Sequence, residues 1–275
     1  MSDLIDLALS EDIGPGDVTV RHFTDSARRG RARIIARQAG VLAGIEVAGE
    51  VFRRVDPALL VEAVLADGAA LAPGSEVLRV EGSLGSILTG ERTALNFLQR
   101  LSGVATQTRR YANAIAGTNC RLLDTRKTTP GFRLLEKDAV RAGGGTNHRA
   151  GLYDMVMVKD NHLAGGLNAP ALAAGIAAAK AAGLRVEVEA DTLEQVREFF
   201  RTPGIDVVLL DNMPPAMMRE AVALRPTGVQ LEASGGITLE NIRAAAETGV
   251  DFVSIGALTH SAPALDLSLE LLADA

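Results

Sequence analysis

The chain has a single cysteine, Cys120, in 275 residues. An intrachain disulfide is therefore impossible, and a zinc site built on several thiolates is excluded. One free thiol and no disulfide suit the cytoplasm, which is the expected location. No stretch approaches the ~20 uninterrupted apolar residues of a membrane span, so no membrane partner is expected. The first twenty residues, MSDLIDLALSEDIGPGDVTV, are acidic and lack an apolar run, so no secretory signal is expected. Positive charge is also in short supply. Twenty-eight basic residues against 34 acidic ones leave a net charge of −6. A chain this acidic is a poor general nucleic-acid binder, so no nucleic-acid partner is expected. Lysine is scarcest: only Lys127, Lys137, Lys159 and Lys180 occur, and none precedes Lys127. What remains is an ordinary globular composition, 47% hydrophobic and 23% charged, long enough to bury a full core without a disulfide or metal staple. The length suits two domains, or one barrel with a small cap.

Charge is unevenly spread. Residues 121–160 hold eight basic residues (Arg121, Arg126, Lys127, Arg133, Lys137, Arg141, Arg149, Lys159) and five acidic ones (Asp124, Glu136, Asp138, Asp154, Asp160), a local +3 in a chain that is otherwise −9. A basic pocket in an acidic protein points to a small anionic substrate rather than a polyanion. Any one lysine reads equally well as a solvated surface charge. Where arginine is the default cation, a lysine can instead mark a place that needs a compact ammonium.

The organisation follows from periodicity. Residues 1–18 read as a short helix and turn, with SEDIGPGD supplying the breakers. From 30 to 84 the alternation is β-like, with close glycine turns, around a short helix in IEVAGEVFRRV. Residues 88–116 form a long amphipathic helix or a broken pair, with Leu95, Leu98, Leu101 and Val104 at helical spacing. After residue 117 short apolar strands alternate with helices. The strands are RLLDT, DMVMVKD, RVEVEA, IDVVLLDN, VQLEAS and FVSIG. The helices are NAPALAAGIAAAKAAG, TLEQVREFF, PAMMREAVAL and TLENIRAAAETG. Thr192 and Thr238 are candidate helix starts, and Gly183 and Gly249 candidate helix ends. About six βα units predict a closed or nearly closed parallel α/β barrel. The alternative is an open doubly wound sheet, but no GxGxxG follows the first strand of this region.

Several strand ends carry polar groups. In RVEVEA, Arg185, Glu187 and Glu189 share one face, and Val186, Val188 and Ala190 the other. If the apolar face meets helices, the carboxylates point inward, where they need cations; the alternative is an edge strand with one solvated face. IDVVLLDN delivers Asp211. VQLEASGG ends in Ser234, Gly235 and Gly236, and FVSIGALTHS in Gly256, Thr259 and His260. A Ser-Gly-Gly turn opening a helix offers backbone N–H groups to a phosphate, though most glycine pairs simply make turns. The densest stretch is LDTRKTTPGFRLLEKDAVRAGGGTNHRAGLYDMVMVKDNH. Its Arg126, Lys127, Arg149 and Lys159 come from three loops. Singly each reads as a surface ion pair. Together they form a cage for a ligand with more than one negative charge, arginine giving bidentate contact to carboxylates.

TRKTTPG, EKDAVRAGGGTNHRAGLYDMVMVKDNH, VEVEA, LLDN, EASGGIT and IGALTHS together resemble quinolinate phosphoribosyltransferase, the nicotinate-nucleotide pyrophosphorylase (carboxylating) family. The resemblance runs nearly end to end, including SEDIGPGDVT and GERTALNFLQRLSGVAT. Thr146, between GGG and NHR, stands at a variable position. The resemblance implies an N-terminal α/β sandwich domain over residues 1–116 and an incomplete parallel α/β barrel over 117–275, with a last helix packing back on the N-terminal domain. It implies transfer of phosphoribosyl from phosphoribosyl pyrophosphate to quinolinate, with nicotinate mononucleotide, pyrophosphate and CO2 as products. By the same resemblance Arg126, His148 and Arg149 hold the quinolinate carboxylates, and Lys127 and Lys159 reach the substrate and the donor. Thr125 joins the substrate-binding set. Glu189 and Asp211 lie near the donor ribose and its Mg²⁺, reached through the donor or water. Lys127, Lys159, Glu189 and Asp211 form the catalytic set. Ser234, Gly235, Gly236 and Gly256 match 5′-phosphate loops, and His260 lines the same mouth. Arg92 matches an arginine from a neighbouring subunit of a dimer or larger assembly.

Three rivals are weighed against this. A homologue serving another pathway, such as those accompanying molybdate transport, would be expected to lose part of the cage, which is intact. Nicotinate phosphoribosyltransferase serves a substrate with one carboxylate and needs fewer cations. LADGAALAPGSEVLRVEG has the turn spacing of a biotinyl or lipoyl carrier, but such a carrier needs a lysine at a hairpin tip, and the region has none.

Overall fold

The computed structural model describes residues 2–25, 27–159 and 169–273. The chain divides into two compact units, each built from separate segments. One comprises Met1–Arg109, Thr129–Gly144 and Ser261–Ala275; the other comprises Arg110–Thr128 and Gly145–His260. The expected single division between residues 116 and 117 thus becomes several crossings of the chain.

The first unit carries a four-stranded antiparallel sheet. Its strands are β1 (Arg29–Ala36), β3 (Leu60–Ala63), β5 (Glu76–Ser83) and β12 (Leu267–Leu272), in the order β12-β1-β5-β3. Two short strands, β2 (Gly40–Val41) and β4 (Ala70–Leu71), pair separately. Period-two burial is clearest in β5, where Val80 is buried between exposed Arg79 and Glu81. Helices α1 (Ser2–Ile13) and α2 (Val18–Phe23) precede the sheet. Helix α3 (Ile45–Val55) matches the span read from IEVAGEVFRRV and buries Ile45, Ala48, Val51 and Phe52 at three- and four-residue spacing. Helix α4 is one continuous helix, Leu84–Ala114, rather than a broken pair. Its Ile87, Leu95, Leu98, Leu101 and Val104 are buried. Helix α5 (Arg133–Ala142) also belongs to this unit.

The chain's last element corrects an expectation. It is strand β12, not a helix, and it pairs antiparallel along β1 from Arg31–Leu272 to Ala36–Leu267. LSLELL has alternating polarity, and β1 offers it a row of backbone donors and acceptors. Cross-strand charge reinforces the register: Glu270 lies 3.0 Å from Arg33 and 2.9 Å from Arg37.

The second unit holds six parallel strands: β6 (Arg121–Leu123), β7 (Val156–Val158), β8 (Val186–Ala190), β9 (Val207–Asp211), β10 (Gln230–Ser234) and β11 (Phe252–Ser254). Their order is β6-β11-β10-β9-β8-β7, which leaves β6 and β7 at opposite edges. Between those edges the described residues show only a bridge from Leu123 to Thr146, so the barrel is incomplete. Helices α6 (Ala169–Ala181), α7 (Leu193–Arg201), α8 (Pro215–Leu224), α9 (Ile242–Ala246) and α10 (Ala257–His260) alternate with the strands. All five residues of β8 are buried, as expected of a strand covered on both faces. Thr192 caps α7 in a reciprocal pair with Gln195. Helix α9 is shorter than TLENIRAAAETG suggests. Asn241 accepts a hydrogen bond from Thr238 N–H at 2.8 Å and donates to Gly236 O at 3.0 Å, which holds residues 236–241 as a turn ahead of the helix. Among the described residues no helix is long and apolar enough to cross a membrane.

Candidate active site

The carboxyl ends of the parallel strands converge on a cavity of about 350 Å³. Nine of the sequence-predicted site residues line it: Thr125, Arg126, Lys127, His148, Arg149, Lys159, Glu189, Asp211 and Ser234. Thr125–Lys127 follow β6, Lys159 follows β7, Glu189 closes β8 but for one residue, and Asp211 and Ser234 end β9 and β10. Parallel strands place these ends on one rim, where catalytic groups of α/β barrels gather. Met157, Leu209, Glu232 and Ser254 complete the wall.

The cations are held, not loose. Lys159 Nζ lies 2.6 Å from Glu189 Oε2. The Lys127 amide donates to Thr125 Oγ1 at 3.0 Å, and its carbonyl accepts from Thr259 Oγ1 at 2.8 Å. Arg149 donates to Met155 O at 3.3 Å and lies 3.4 Å from Met157 Sδ. Burial and the neighbouring Arg126 charge lower the Arg149 pKa. Two guanidinium groups that destabilise each other are relieved by an anion. Asp211 is pushed the other way: burial and the Glu189 charge raise its pKa, against a hydrogen bond from Asn212 Nδ2 at 2.6 Å. The lining therefore has one pair of groups, Arg126 and Arg149, that favours an anion and another, Glu189 and Asp211, that favours positive charge.

The glycines fit by close approach. At Gly256 a Cβ would sit 2.8 Å from Lys127 Cδ and 3.1 Å from His260 Nε2, so the missing side chain makes room for both. Gly235, at φ +87°, has Asn212 where its Cβ would go, and Gly236 follows at φ +62°. This pair forms a loop of left-handed residues after Ser234. The helix expected to open there begins only at Ile242. Gly235, Gly236, Gly256 and His260 adjoin the cavity's residues without lining it, and His260 is exposed. Arg92, on α4, lines a different cavity with Asp12, Asp17 and Thr89. In the KDNH motif, Asp160, Asn161 and His162 lie outside the described residues.

Beneath the cavity lies a cluster that the motif reading did not assemble. His148 Nε2 is 3.1 Å from Glu187 Oε2 and 3.4 Å from Glu232 Oε2. Glu187 and Glu232 are 1% and 2% exposed. Burial opposes charge on His148, but the two carboxylates outweigh it and raise its pKa to about 10. Burial and the Glu232 charge raise the Glu187 pKa. The Arg149 amide donates to His148 Nδ1 at 2.6 Å, which favours a ring with a single proton on Nε2, pointed at the carboxylates, against the pull of their charge. The three side chains are close enough to share a metal ion. A ligating histidine, however, normally donates from its second nitrogen, whereas here that nitrogen accepts. Asp124, fully buried, accepts from His148 N and Asn147 Nδ2, both at 2.7 Å, and so fixes the NHR segment. The period-two argument applied to RVEVEA would have found Glu232, since Gln230, Glu232 and Ser234 share a face of VQLEAS. Asp124 had no such signal: it sits past the end of β6, and its role depends on a segment over twenty residues away.

The arrangement can hold a dianion beside a carboxylate-lined wall. A model of the family described as "Quinolinate phosphoribosyl transferase, C-terminal domain" matches residues 104–270, and the corresponding N-terminal domain model matches residues 17–102. The chain is 44% identical over 265 residues to a protein of Bacillus subtilis (strain 168) named probable nicotinate-nucleotide pyrophosphorylase [carboxylating], covering 95% of this chain and 90% of that one. It is 40% identical over 289 residues to a Nicotiana glauca protein named quinolinate phosphoribosyltransferase [decarboxylating] 2, mitochondrial, covering 98% of this chain and 82% of that one. The solved nicotinate-nucleotide pyrophosphorylase of Francisella tularensis superposes with a TM-score of 0.91 at 38% identity, covering 98% of this chain and 95% of that one. A solved human nicotinic acid phosphoribosyltransferase shares the fold, with a TM-score of 0.64 at 16% identity. With both domain models matched, relatives aligned over nearly the whole length, and the cationic cavity in place, the chain belongs to the quinolinate phosphoribosyl transferase family.

Proposed function

We propose that the chain transfers phosphoribosyl from phosphoribosyl pyrophosphate to quinolinate with decarboxylation, giving nicotinate mononucleotide, pyrophosphate and CO2 for de novo NAD synthesis. One observation carries this reading: Arg126, Lys127, Arg149 and Lys159 meet in a single cavity that Glu189 and Asp211 also line. A flat diacid needs the first set, and a sugar developing positive charge at C1′ needs the second.

In this reading Arg126 and Arg149 hold the two carboxylates, and His148, expected among them, stands at the cavity lining with both ring nitrogens engaged by Glu187, Glu232 and the Arg149 amide. The ring nitrogen attacks C1′ as the bond to pyrophosphate breaks through an oxocarbenium-like transition state. Glu189 and Asp211 favour the developing positive charge and hold the ribose hydroxyls. Lys127 and Lys159 draw the donor's negative charge to the rim. Ser234, Gly235, Gly236 and Gly256 cradle the 5′-phosphate, with His260 beside them. Positioning and electrostatics do the work, and no covalent nucleophile is needed. The pyridinium formed accepts the electron pair left when the adjacent carboxylate departs as CO2.

Mg²⁺ suits this site, because Asp211 offers hard oxygen and its pKa is raised by the nearby Glu189 charge. Glu189 is engaged by Lys159 and would act through the donor's oxygens or water, and Asp211 would reach the ion in the same indirect way. When bound, the ion would neutralise charge on the leaving pyrophosphate. A homodimer or larger assembly, with Arg92 completing a neighbour's site, and a cytoplasmic location complete the proposal.

The test is an assay with quinolinate, phosphoribosyl pyrophosphate and Mg²⁺, following loss of quinolinate absorbance, with nicotinate alongside. Turnover of quinolinate alone is expected; preference for nicotinate overturns the reading. Mixing Arg92→Ala subunits with Lys159→Ala subunits is expected to restore activity. Silent mixtures remove the shared site.

A further inference from the structure

Loss of CO2 leaves an electron pair on the ring carbon, so each turnover needs one proton delivered inside the cavity. The cavity's floor holds a group suited to that. His148 and Glu232 line the substrate cavity. His148, Glu187 and Glu232 also line a second cavity of about 140 Å³. That cavity includes Arg121, Val207 and Phe252, the first residues of β6, β9 and β11, and so lies at the opposite end of the strands. The cluster therefore stands between the two spaces, reachable from both.

Its bonding is incomplete in a specific way. Glu187 Oε1 and Glu232 Oε1 are buried without a hydrogen-bond partner, while both Oε2 atoms face the same imidazole nitrogen. Buried carboxylate oxygens without donors are costly, and a proton shared among the three groups relieves that cost. The surroundings set its occupancy. Arg121, Arg149 and Arg185 share the second cavity with the cluster, and Arg126, Arg149 and Glu189 share the first; the Arg149 charge draws Glu187 toward the ionised form, while burial and the Glu232 charge oppose it. A dianion bound at Arg126 and Arg149 cancels part of that positive field and adds negative charge of its own. Both changes increase the cluster's affinity for a proton.

We propose that His148, Glu187 and Glu232 form a proton store that takes up a proton from solvent when the diacid binds and returns it to the ring carbon that loses CO2. The bond from that carbon to the carboxylate breaks, and its electron pair stays on the carbon. The shared carboxyl proton, carried by Glu232 at the cavity wall, then transfers there. Nε2 keeps its own proton between the two carboxylates, and the second cavity admits the replacement for the carboxyl proton from solvent. The cycle consumes one proton per CO2 and needs no other reactant. Glu232 acts at the substrate, whereas His148 and Glu187 act through it and are positioning residues. The proposal rests on the diacid reading above.

The test is calorimetric titration of the full-length protein with quinolinate near pH 8, in two buffers of different ionisation enthalpy. Binding heats that differ between buffers by the amount expected for proton uptake support the store. Equal heats overturn it and leave the diacid reading standing; no binding heat in either buffer overturns that reading and the store with it. In Glu187→Gln and Glu232→Gln the uptake is expected to vanish while quinolinate still binds, and turnover is expected to fall with a larger solvent deuterium effect. Undiminished uptake in both variants places the proton elsewhere and overturns the assignment. If one variant fails to fold, the other and the wild-type titration still decide.

Discussion

The two units treat buried carboxylates in opposite ways. In the first unit Glu136 is fully buried and both its oxygens are satisfied: Oε1 accepts from Arg100 at 2.7 Å and Thr129 Oγ1 at 2.8 Å, and Oε2 accepts from Thr129 N at 3.0 Å. In the second unit Glu187 and Glu232 are almost as deeply buried, yet each keeps an oxygen without a partner. The first arrangement is finished without a ligand and serves stability. The second keeps unmet bonding capacity beside the cavity where charge is to change. Burial alone does not separate a structural carboxylate from a working one; the count of satisfied oxygens does.

That contrast can be broken in several places. The largest effect is expected at Glu136. Glu136→Ala strands Arg100 and Thr129 and should cost about 3–5 kcal/mol, read from urea unfolding. A loss comparable to a surface substitution would erase the distinction. Next comes Lys127, whose side chain passes Gly256 and lines the cavity. Lys127→Ala should lower turnover at least tenfold, about 1.4 kcal/mol in barrier, with the unfolding midpoint unchanged. Near-normal activity would remove Lys127 from the working set.

A smaller effect is expected at Asp206, which accepts from Lys180 Nζ at 2.8 Å and from Val186 N at 2.7 Å. Burial opposes its ionisation, but those partners outweigh it and lower its pKa. A carboxyl with a lowered folded-state pKa contributes stability above its unfolded pKa of about 3.9, and loses it as pH falls through the folded value. Because the pair is partly exposed, Asp206→Asn should cost about 1 kcal/mol or less at neutral pH and flatten the acid limb of the stability profile. The smallest effect is expected at Glu187. Glu187→Gln removes a charge repelled by Glu232, so stability should stay within about 1 kcal/mol of wild type. A loss as large as that of Glu136→Ala would show that Glu187 is a structural carboxylate after all.

Much of the second unit was legible beforehand because its signals are local. Six apolar strands separated by helices read as a parallel barrel, and each expected strand is present. Residues at strand ends, such as Lys159, Asp211 and Ser234, could be placed on one rim from topology alone. The errors share a different origin. The last helix that the resemblance implies is absent among the described residues, where LSLELL forms a strand because β1 is free to pair with it. The turn before α9 depends on Asn241 reaching back to Thr238 and Gly236, which outcompetes another helical turn. Arg92 lines a cavity with Asp12, Asp17 and Thr89, and its assignment rests on the resemblance.

By itself the sequence determined the strand–helix rhythm, the inward face of RVEVEA and the concentration of cations in residues 121–160. Alternation and charge are properties of neighbouring residues, and they survive in any register. Only the tertiary structure decided that Glu187 and Glu232 share one imidazole. They stand on β8 and β10, with β9 between them, and meet only because three parallel strands pair in one register and curve around a common interior. Which carboxylate keeps an unsatisfied oxygen depends on that curvature at the scale of a hydrogen bond, and no pattern along the chain encodes it.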